Sequence, residues 1–253
     1  MLICVAKFWL RLTSISNFTW KLHSSQYQRN TSHVLKNNSP WRLVAFTVMA
    51  AYFQIMLTIV SALRAEFEAL VEALPPVKAI PCGPGALRVY RNFHILRTGP
   101  GAERAIRTFN NYLKQFNPQT VLMVGFAGAL GPDISPGNVY LIKKVIDVKT
   151  QRELKLPMPG ELRRLPAENL LTVGQSVQST SEKTKLWQQF KTGLVDMETF
   201  QLAELCQSTR MECFVIKGVT DLAREEVKEQ FRRNFKTVQQ RLFEIIKPIL
   251  PIK

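Results

Sequence analysis

From Met56 onward, short β-branched segments alternate with amphipathic helical segments, and this alternation constrains the fold most strongly. We expect strands at Leu57–Ala62, Val77–Cys82, Leu87–Tyr90, His94–Thr98, Thr120–Val124, Asn138–Val148, Asn169–Val173 and Glu212–Val219. We expect helices at Arg64–Leu74, Gly101–Phe116, Met197–Ser208 and Arg224–Ile246, with a Pro-rich, charged loop over residues 150–168. Strands interleaved with helices predict an α/β fold whose sheet is layered by helices.

The first 55 residues differ in character from the rest of the chain. They carry six basic residues and no carboxylate, and the first acidic residue is Glu66. The apolar run Leu43–Leu63 is long enough for a transmembrane helix. A second interpretation, which we favour, cuts the run at Met56 and makes the residues after it a strand. Residues 1–55 are then an extension that is poorly ordered, membrane-tending or not genuinely coding, and residues 56–253 form the catalytic domain.

Charge and cysteine content exclude several classes of function. The formal net charge is +15, which favours a basic solvated surface. We find no nucleic-acid-binding motif, so we expect no nucleic-acid partner. None of the four cysteines lies in a C-x-x-C pair, and His94 is the single histidine after Met56. We therefore expect no metal site and no disulfide framework, which fits a cytoplasmic protein.

Four segments carry chemistry, and each follows an expected strand, where α/β sheets collect their ligands. They are Ser61–Leu70, Thr98–Ala105, the small-residue turn expected over Gly125–Leu130, and the pair Val195–Thr199 with Ile216–Ala223. Each segment alone has an ordinary explanation as a turn, a helix cap or a solvated surface. Their order and spacing together indicate a shared site.

That order resembles the superfamily of purine nucleoside phosphorylases and methylthioadenosine/S-adenosylhomocysteine nucleosidases. The matching elements are a first strand ending in a turn with Glu66, a Gly-x-Ala-Gly-x-Leu segment at Gly125–Leu130, Val-Asp-Met-Glu at Val195–Glu198, and Thr-Asp-x-Ala from Thr220. The segment Gly99–Ala105 is most similar to hopanoid-associated phosphorylases. The resemblance implies a three-layer α/β/α fold with a mixed central sheet.

The resemblance also implies cleavage of the N-glycosidic bond of a 5′-substituted, adenosine-type purine nucleoside. Asp221 would protonate the leaving base, and Glu66 would activate the attacking water. Glu198 would take the ribose hydroxyls and Met197 would pack on the sugar. The remaining expected substrate-binding residues are Ala127, Gly128, Val177, Gln178 and Arg104. No cofactor is implied, and a homodimer is the expected assembly.

Two alternatives stay open. Phosphorolysis would use inorganic phosphate as co-substrate, held by Arg64 and Arg104. A catalytically impaired nucleoside-binding protein is the other alternative. Phe126 stands where many members have Ser or Thr, and Lys217 stands where an arginine is common. We favour hydrolysis because water needs a base, which Glu66 supplies, whereas phosphate needs cations.

Overall fold

The computed structural model of the chain describes residues 57–250 apart from residues 73, 76 and 78. The predictions for residues 1–55, and for the part of the apolar run before Leu57, lie outside the described residues. The end of that run, Leu57–Ser61, is a strand, as our favoured interpretation predicted. Within the described part of the chain, no helix combines the length and the apolar composition needed to cross a membrane.

The described residues form ten strands, joined in one sheet. The strands are β1 (Leu57–Ser61), β2 (Ala79–Cys82), β3 (Gly85–Val89), β4 (Phe93–Arg97), β5 (Thr120–Ala129), β6 (Val139–Asp147), β7 (Glu153–Lys155), β8 (Ala167–Thr172), β9 (Leu194–Asp196) and β10 (Glu212–Asp221). The helices are α1 (Arg64–Glu72), α2 (Ala102–Leu113), α3 (Thr180–Phe190), α4 (Thr199–Ser208) and α5 (Val227–Ile246), with 3₁₀ turns at Gly160–Leu162 and Lys247–Ile249.

The sheet is mixed, and strand β5 is its centre. Strand β5 pairs in parallel with β1 on one edge and with β10 on the other. Beyond the end of β1, the last residues of β5 pair antiparallel with β9. Strands β9, β8, β6 and β10 then pair in sequence, so that they close a ring with β5. This closure gathers the ends of several strands around one cavity.

Helices cover both faces of the sheet, because its central strands are apolar on both sides. In β5, Val121 and Met123 pack in the cluster that holds helices α2 and α4. The intervening residues, Leu122 and Val124, pack in the cluster that holds α1 and α5. This alternation follows from the two-residue period of a strand, and it confirms the three-layer α/β/α architecture.

Two of our predictions about secondary structure were wrong. We expected β5 to end at Val124 and a turn to follow, but the small-residue segment continues the strand to Ala129. We expected a loop over residues 150–168, but strand β7 lies within it and pairs with β6. Helix α3 and strand β9 were not predicted. Ser179, whose side chain accepts a hydrogen bond from the Glu182 N–H, marks the beginning of α3 as a helix-capping pattern would.

A buried polar network fastens helix α2 to the sheet. The Tyr112 hydroxyl lies 2.7 Å from Thr58 Oγ1 and 2.8 Å from His94 Nδ1. All three side chains are buried. Buried polar groups are costly unless they are hydrogen-bonded, so the single hydroxyl satisfies groups on both β1 and β4.

We therefore expect Tyr112→Phe to lower the free energy of unfolding by about 1–3 kcal/mol, because it leaves two buried polar atoms without their partner. Urea unfolding followed by circular dichroism measures this change. Tyr140→Phe is the matched control, since the Tyr140 hydroxyl accepts one long, exposed hydrogen bond of 3.4 Å from Asn138. Equal stability of the two variants would contradict the role of the network.

Candidate active site

One cavity of about 200 Å³ opens where the ends of β1, β8, β9 and β10 meet the second half of β5. Four carboxyl groups, those of Glu66, Asp196, Glu198 and Asp221, form what we call its floor, and most of the other lining residues are apolar. The lining residues are Ala62, Leu63, Glu66, Pro100, Phe126, Ala127, Gly128, Val173, Ser176, Val177, Val195, Asp196, Met197, Glu198, Thr220, Asp221, Ala223, Val227 and Phe231. Residues from distant parts of the sequence therefore share one small space.

Glu66 is held by backbone N–H groups from two elements. Its Oε2 accepts hydrogen bonds from the N–H groups of Ala62 (2.9 Å) and Leu63 (2.7 Å) at the beginning of α1. Its Oε1 accepts one from the Phe126 N–H at 2.7 Å. Burial raises the pKa of Glu66, although Lys217 and these N–H groups oppose the shift. Glu66 thus caps α1 and also presents a fixed carboxylate of raised basicity to the cavity.

Two glycines of β5 make room for the carboxylates. A Cβ at Gly125 would lie 2.8 Å from Glu66 Oε1, and a Cβ at Gly128 would lie 2.9 Å from Asp221 Oδ1. Real Cβ atoms do not tolerate such contacts, so a larger residue would displace either carboxylate. The small residues that suggested a turn are therefore required inside a strand, where side chains approach the backbone closely.

Lys217 lies behind the carboxylates and is not among the lining residues. Its Nζ is 2.8 Å from Asp196 Oδ2, and both side chains are at least nine-tenths buried. Burial opposes the charge on Lys217, but the negative charges of Asp196, Glu198 and Glu66 outweigh it and raise the pKa of the lysine. One ammonium group therefore serves three carboxylates.

Asp196 also fixes the beginning of helix α4. Its carboxylate accepts hydrogen bonds from the Thr172 hydroxyl at 2.8 Å and from the Thr199 N–H and hydroxyl. We considered helix capping the ordinary role for Glu198, yet Glu198 stands at the N-cap position without capping the helix through its side chain. Asp196 takes that role instead, which leaves the Glu198 carboxylate free to face the cavity.

Glu198 reaches across the cavity rim to the loop before α2. Its Oε1 accepts a hydrogen bond of 2.6 Å from the Gly101 N–H. The N-terminal end of α2 therefore binds a carboxylate of the same chain. Burial, and then the nearby charges of Asp196 and Glu66, raise the pKa of Glu198 to about 7, against the effect of Lys217.

Asp221 ends strand β10 after a register shift between Val219 and Asp221. Its Oδ2 accepts a 2.9 Å hydrogen bond from the Thr220 hydroxyl, and its Oδ1 accepts a 3.0 Å bond from the Ala223 N–H. Burial raises the pKa of Asp221, although these bonds and the charge of Lys183 oppose the shift. The observed partner of Lys217 is Asp196, so the lysine does not pin Asp221 as a carboxylate.

The outer part of the cavity is apolar. The rings of Phe126 and Phe231 meet edge to face with centroids 5.5 Å apart. Leu63 and Val227 line the cavity with them. Phe126 has no side-chain hydroxyl to donate, but its backbone N–H binds Glu66.

The structure brings most of the predicted site residues together. Those that line the cavity are Glu66, Ala127, Gly128, Val177, Met197, Glu198 and Asp221. Arg104 and Gln178 do not line it: both are exposed, and the Arg104 side chain packs against Gly99. Arg64 is also exposed and pairs with Glu68.

Sequence reasoning missed Asp196 and the role of Lys217. Asp196 lies within a motif that we had recognised, but no role was assigned to it. A lysine within the apolar strand Glu212–Asp221 is a signal in itself, because a buried charge needs an opposite partner. Across the described residues, no group of three or more His, Cys, Asp or Glu side chains is arranged to hold a metal ion.

We expect Lys217→Met to lower the free energy of unfolding by about 3–5 kcal/mol, because it leaves buried carboxylates without a counter-charge. The loss should be larger at pH 8 than at pH 5, since protonation of the carboxylates relieves their repulsion. Urea unfolding at both values measures it. Lys144→Met, which breaks the more exposed pair with Glu153, should cost about 0–1 kcal/mol. A Lys217→Met loss as small as this control would contradict the proposed charge balance.

Comparisons with known proteins agree with this architecture. A family model described as the phosphorylase superfamily matches residues 56–251. An aminodeoxyfutalosine nucleosidase of Campylobacter jejuni is 23% identical over 144 residues, which cover 47% of this chain and 63% of that protein. The match thus spans less than two thirds of that relative.

Solved structures show the same fold. The 5′-methylthioadenosine/S-adenosylhomocysteine nucleosidase of Helicobacter pylori superposes with a TM-score of 0.70 at 20% identity, over 78% of this chain and 97% of that chain. The futalosine hydrolase of Helicobacter pylori gives the same values. The nucleosidase of Neisseria meningitidis gives a TM-score of 0.68 at 18% identity, over 76% of this chain and 96% of that chain. With the family match covering most of its length, this chain belongs to the phosphorylase superfamily.

Proposed function

We propose that this chain hydrolyses the N-glycosidic bond of 5′-substituted purine nucleosides of the adenosine type. The observation that carries the proposal is the placement of three carboxyl groups of raised pKa, Glu66, Glu198 and Asp221, in one small cavity. Cleavage of this bond passes through a transition state with positive charge on the sugar, and it needs both an acid for the leaving group and a base for water.

Asp221 serves as the acid for the leaving base. A carboxyl group that keeps its proton near neutral pH can donate it, and burial shifts Asp221 in that direction. Val177, Val195 and Ala223 line the same end of the cavity, where their apolar surfaces suit a flat purine ring. Gly128 leaves the space in which the Asp221 carboxyl group turns toward that ring.

Glu66 and Glu198 serve the sugar and the water. Glu66, fixed by three N–H groups, is the base that removes a proton from the attacking water. Glu198 accepts the ribose hydroxyls, and Met197 packs against the sugar ring. Their negative charges also stabilise the positive charge that develops on the ribosyl carbon.

The apolar outer part of the cavity suits an apolar substituent at the sugar 5′ position. Leu63, Phe126, Val227 and Phe231 form it. The names of the similar proteins support this class of substrate, since methylthioadenosine and S-adenosylhomocysteine both carry substituents at that position. Phe126 adds apolar area to this part of the cavity, whereas a residue with a hydroxyl group would reduce that area.

Water fits this cavity better than phosphate does. Among the described residues, none that lines the cavity carries a positive charge. Lys217 is already engaged by Asp196 and lies behind the floor. Arg64 and Arg104, which a phosphorylase would need, are exposed outside the lining. A phosphate dianion entering among Glu66, Glu198 and Asp221 would be repelled.

The presence of the acid, the base and the hydroxyl acceptor in one cavity also argues against a catalytically impaired binding protein. We assign the activity to residues 56–253, because the family match begins at residue 56 and the cavity is built from residues after it. A cytoplasmic homodimer, expected from the family resemblance, is part of the same proposal, and sedimentation analysis tests the assembly.

We expect release of adenine from 5′-substituted adenosines by the wild-type protein. Asp221→Asn should lower this rate by several orders of magnitude, on the order of 10²–10⁴-fold. The loss should be much smaller on an aryl riboside whose leaving group needs no proton. Glu66→Gln should lower both rates alike, since both substrates need an activated water. Equal losses on the two substrates in Asp221→Asn would contradict the role of Asp221 as an acid.

The pKa of about 7 at Glu198 predicts the pH dependence of substrate capture. The ionised carboxylate accepts hydroxyl hydrogen bonds better than the protonated acid does, so kcat/KM should fall as the pH drops below about 7. Glu198→Gln should lose activity and lose this acid limb. Glu204→Gln, a change at a partly exposed residue of the same helix that pairs with Arg152, should keep both. An unchanged acid limb in Glu198→Gln would assign the limb to another group.

A further inference from the structure

The loop after Asp221 has an unusual backbone. Ala223 (φ 48°) and Glu226 (φ 66°) both adopt the left-handed conformation without being glycine. Such residues persist where the surrounding structure holds them in place. The conformation of Ala223 bears on the candidate site, because the Ala223 N–H donates a hydrogen bond of 3.0 Å to Asp221 Oδ1. Whatever holds this loop therefore also orients the Asp221 carboxyl group.

Helix α3 holds the loop at two points. The Lys183 Nζ donates a hydrogen bond of 2.8 Å to the Leu222 carbonyl oxygen. The Glu225 carboxylate accepts hydrogen bonds from the Thr180 N–H at 2.9 Å and from its hydroxyl at 2.7 Å. These contacts lower the pKa of Glu225 to about 2. The loop is thus bound to the first turn of α3, a helix that our strand and helix predictions did not contain.

Helix α5 holds the same loop from the other side through uncharged groups. The Gln230 Oε1 accepts a hydrogen bond of 2.9 Å from the Leu222 N–H. The Asn234 side chain donates one of 2.8 Å to the Thr220 carbonyl oxygen. Lys183 and Gln230 therefore bind the carbonyl oxygen and the N–H of the same residue, Leu222. Of the two side chains, only Lys183 is charged.

Lys183 is the cation whose charge acts on Asp221. The positive charge of Lys183 lowers the pKa of Asp221 and so opposes the effect of burial. Arg224 and Glu225 belong to the same loop. The residues of β5 and β9 beside Asp221 are Gly128 and Val195, which carry no ionisable group. The side chains of α5 that bind the loop, Gln230 and Asn234, are neutral. Beyond them, the other charged residues of the floor are Glu66, Asp196 and Glu198, with Lys217 behind it.

We propose that Lys183 is a positioning residue for Asp221: it holds the Leu222 carbonyl, and with it the loop that orients the Asp221 carboxyl group. The proposal deepens the function proposed above and rests on it for its catalytic consequence. Lys183 itself does not line the cavity, so it acts on the reaction through Asp221 rather than by touching the substrate.

Four variants of the full-length protein separate the hydrogen bond of Lys183 from its charge. Lys183→Met removes the charge and the hydrogen bond but keeps the length of the side chain. Lys183→Arg keeps the charge. Gln230→Ala removes the hydrogen bond to the Leu222 N–H without removing a charge. Lys185→Met is the matched control, an exposed lysine on the same helix.

Two measurements do not depend on activity. Hydrogen exchange of the 222–226 segment should become at least about fivefold faster in Lys183→Met and in Gln230→Ala, because the loop opens more readily. The titration of Asp221, followed by carbon NMR of labelled aspartate carboxyl groups, should move to higher pH in Lys183→Met alone. Lys183→Arg and Lys185→Met should titrate as the wild type does. Unchanged exchange and unchanged titration in Lys183→Met would overturn the proposal.

The catalytic readout completes the test. In Lys183→Met, kcat for nucleoside cleavage should fall by about 10- to 100-fold with little change in KM, because the acid is misplaced rather than the substrate. The basic limb of the pH–rate profile should move to higher pH together with the Asp221 titration. If Lys183→Met shifts the Asp221 titration but the wild-type protein releases no base, the proposed function fails and the positioning role of Lys183 stands. Wild-type cleavage with unaltered kcat and titration in Lys183→Met would defeat the Lys183 proposal alone.

Discussion

The site depends on a single buried ammonium group. Lys217 lies under the floor of the cavity, 2.8 Å from Asp196 and within electrostatic reach of Glu198 and Glu66. Three carboxylates taken out of water beside one another would repel strongly, and one central cation makes their shared burial tolerable. Burial, together with the nearby negative charges of Asp196 and Glu66, outweighs the effect of this cation on Glu198 and raises the pKa of Glu198 to about 7. This raised pKa brings the titration of Glu198 close to neutral pH, which the proposed function uses.

Backbone N–H groups orient the carboxyl groups, which the charge of Lys217 alone cannot do. Glu66 accepts hydrogen bonds from three backbone N–H groups, and Glu198 accepts one. Asp221 accepts one from a backbone N–H and one from the Thr220 hydroxyl. Gly125 and Gly128 in β5 leave room for the carboxyl groups of Glu66 and Asp221. Orientation therefore comes from fixed backbone donors and charge balance from Lys217, a preorganised arrangement in which little has to move during the reaction.

Much of the fold was predictable from the sequence, because strongly periodic segments were read correctly. The confirmed three-layer fold followed from the alternation of strands and helices together with the family resemblance. The Gly125–Gly128 segment was misread, since glycines ordinarily mark turns and their purpose here, space for Glu66 and Asp221, exists only after folding. Strand β9 is three residues long and gave no periodic signal. The beginning of α3 was signalled by Ser179 and Glu182, but the helix has few buried residues to reveal it.

The site residues that belong to a recognised motif could be predicted from the sequence. The residues whose role depends on packing in the folded chain could not. Asp196 and Lys217 are 21 positions apart in the sequence, and only the pairing of strands brings them into contact. Arg104 was expected to bind substrate from the family resemblance, yet its side chain is exposed and packs against Gly99 rather than lining the cavity. The nearby Gly101 N–H binds the Glu198 carboxylate, a contact between residues 97 positions apart that only the folded chain reveals.

The proposal rests most directly on water, rather than phosphate, being the nucleophile in a cavity that no cationic side chain among the described residues lines. Cleavage of a 5′-substituted adenosine followed by proton and phosphorus NMR, in buffer with and without inorganic phosphate, tests this point. We predict the free sugar as the product under both conditions and a rate that does not depend on phosphate. Formation of a sugar 1-phosphate, together with a rate that rises with phosphate concentration, would contradict it.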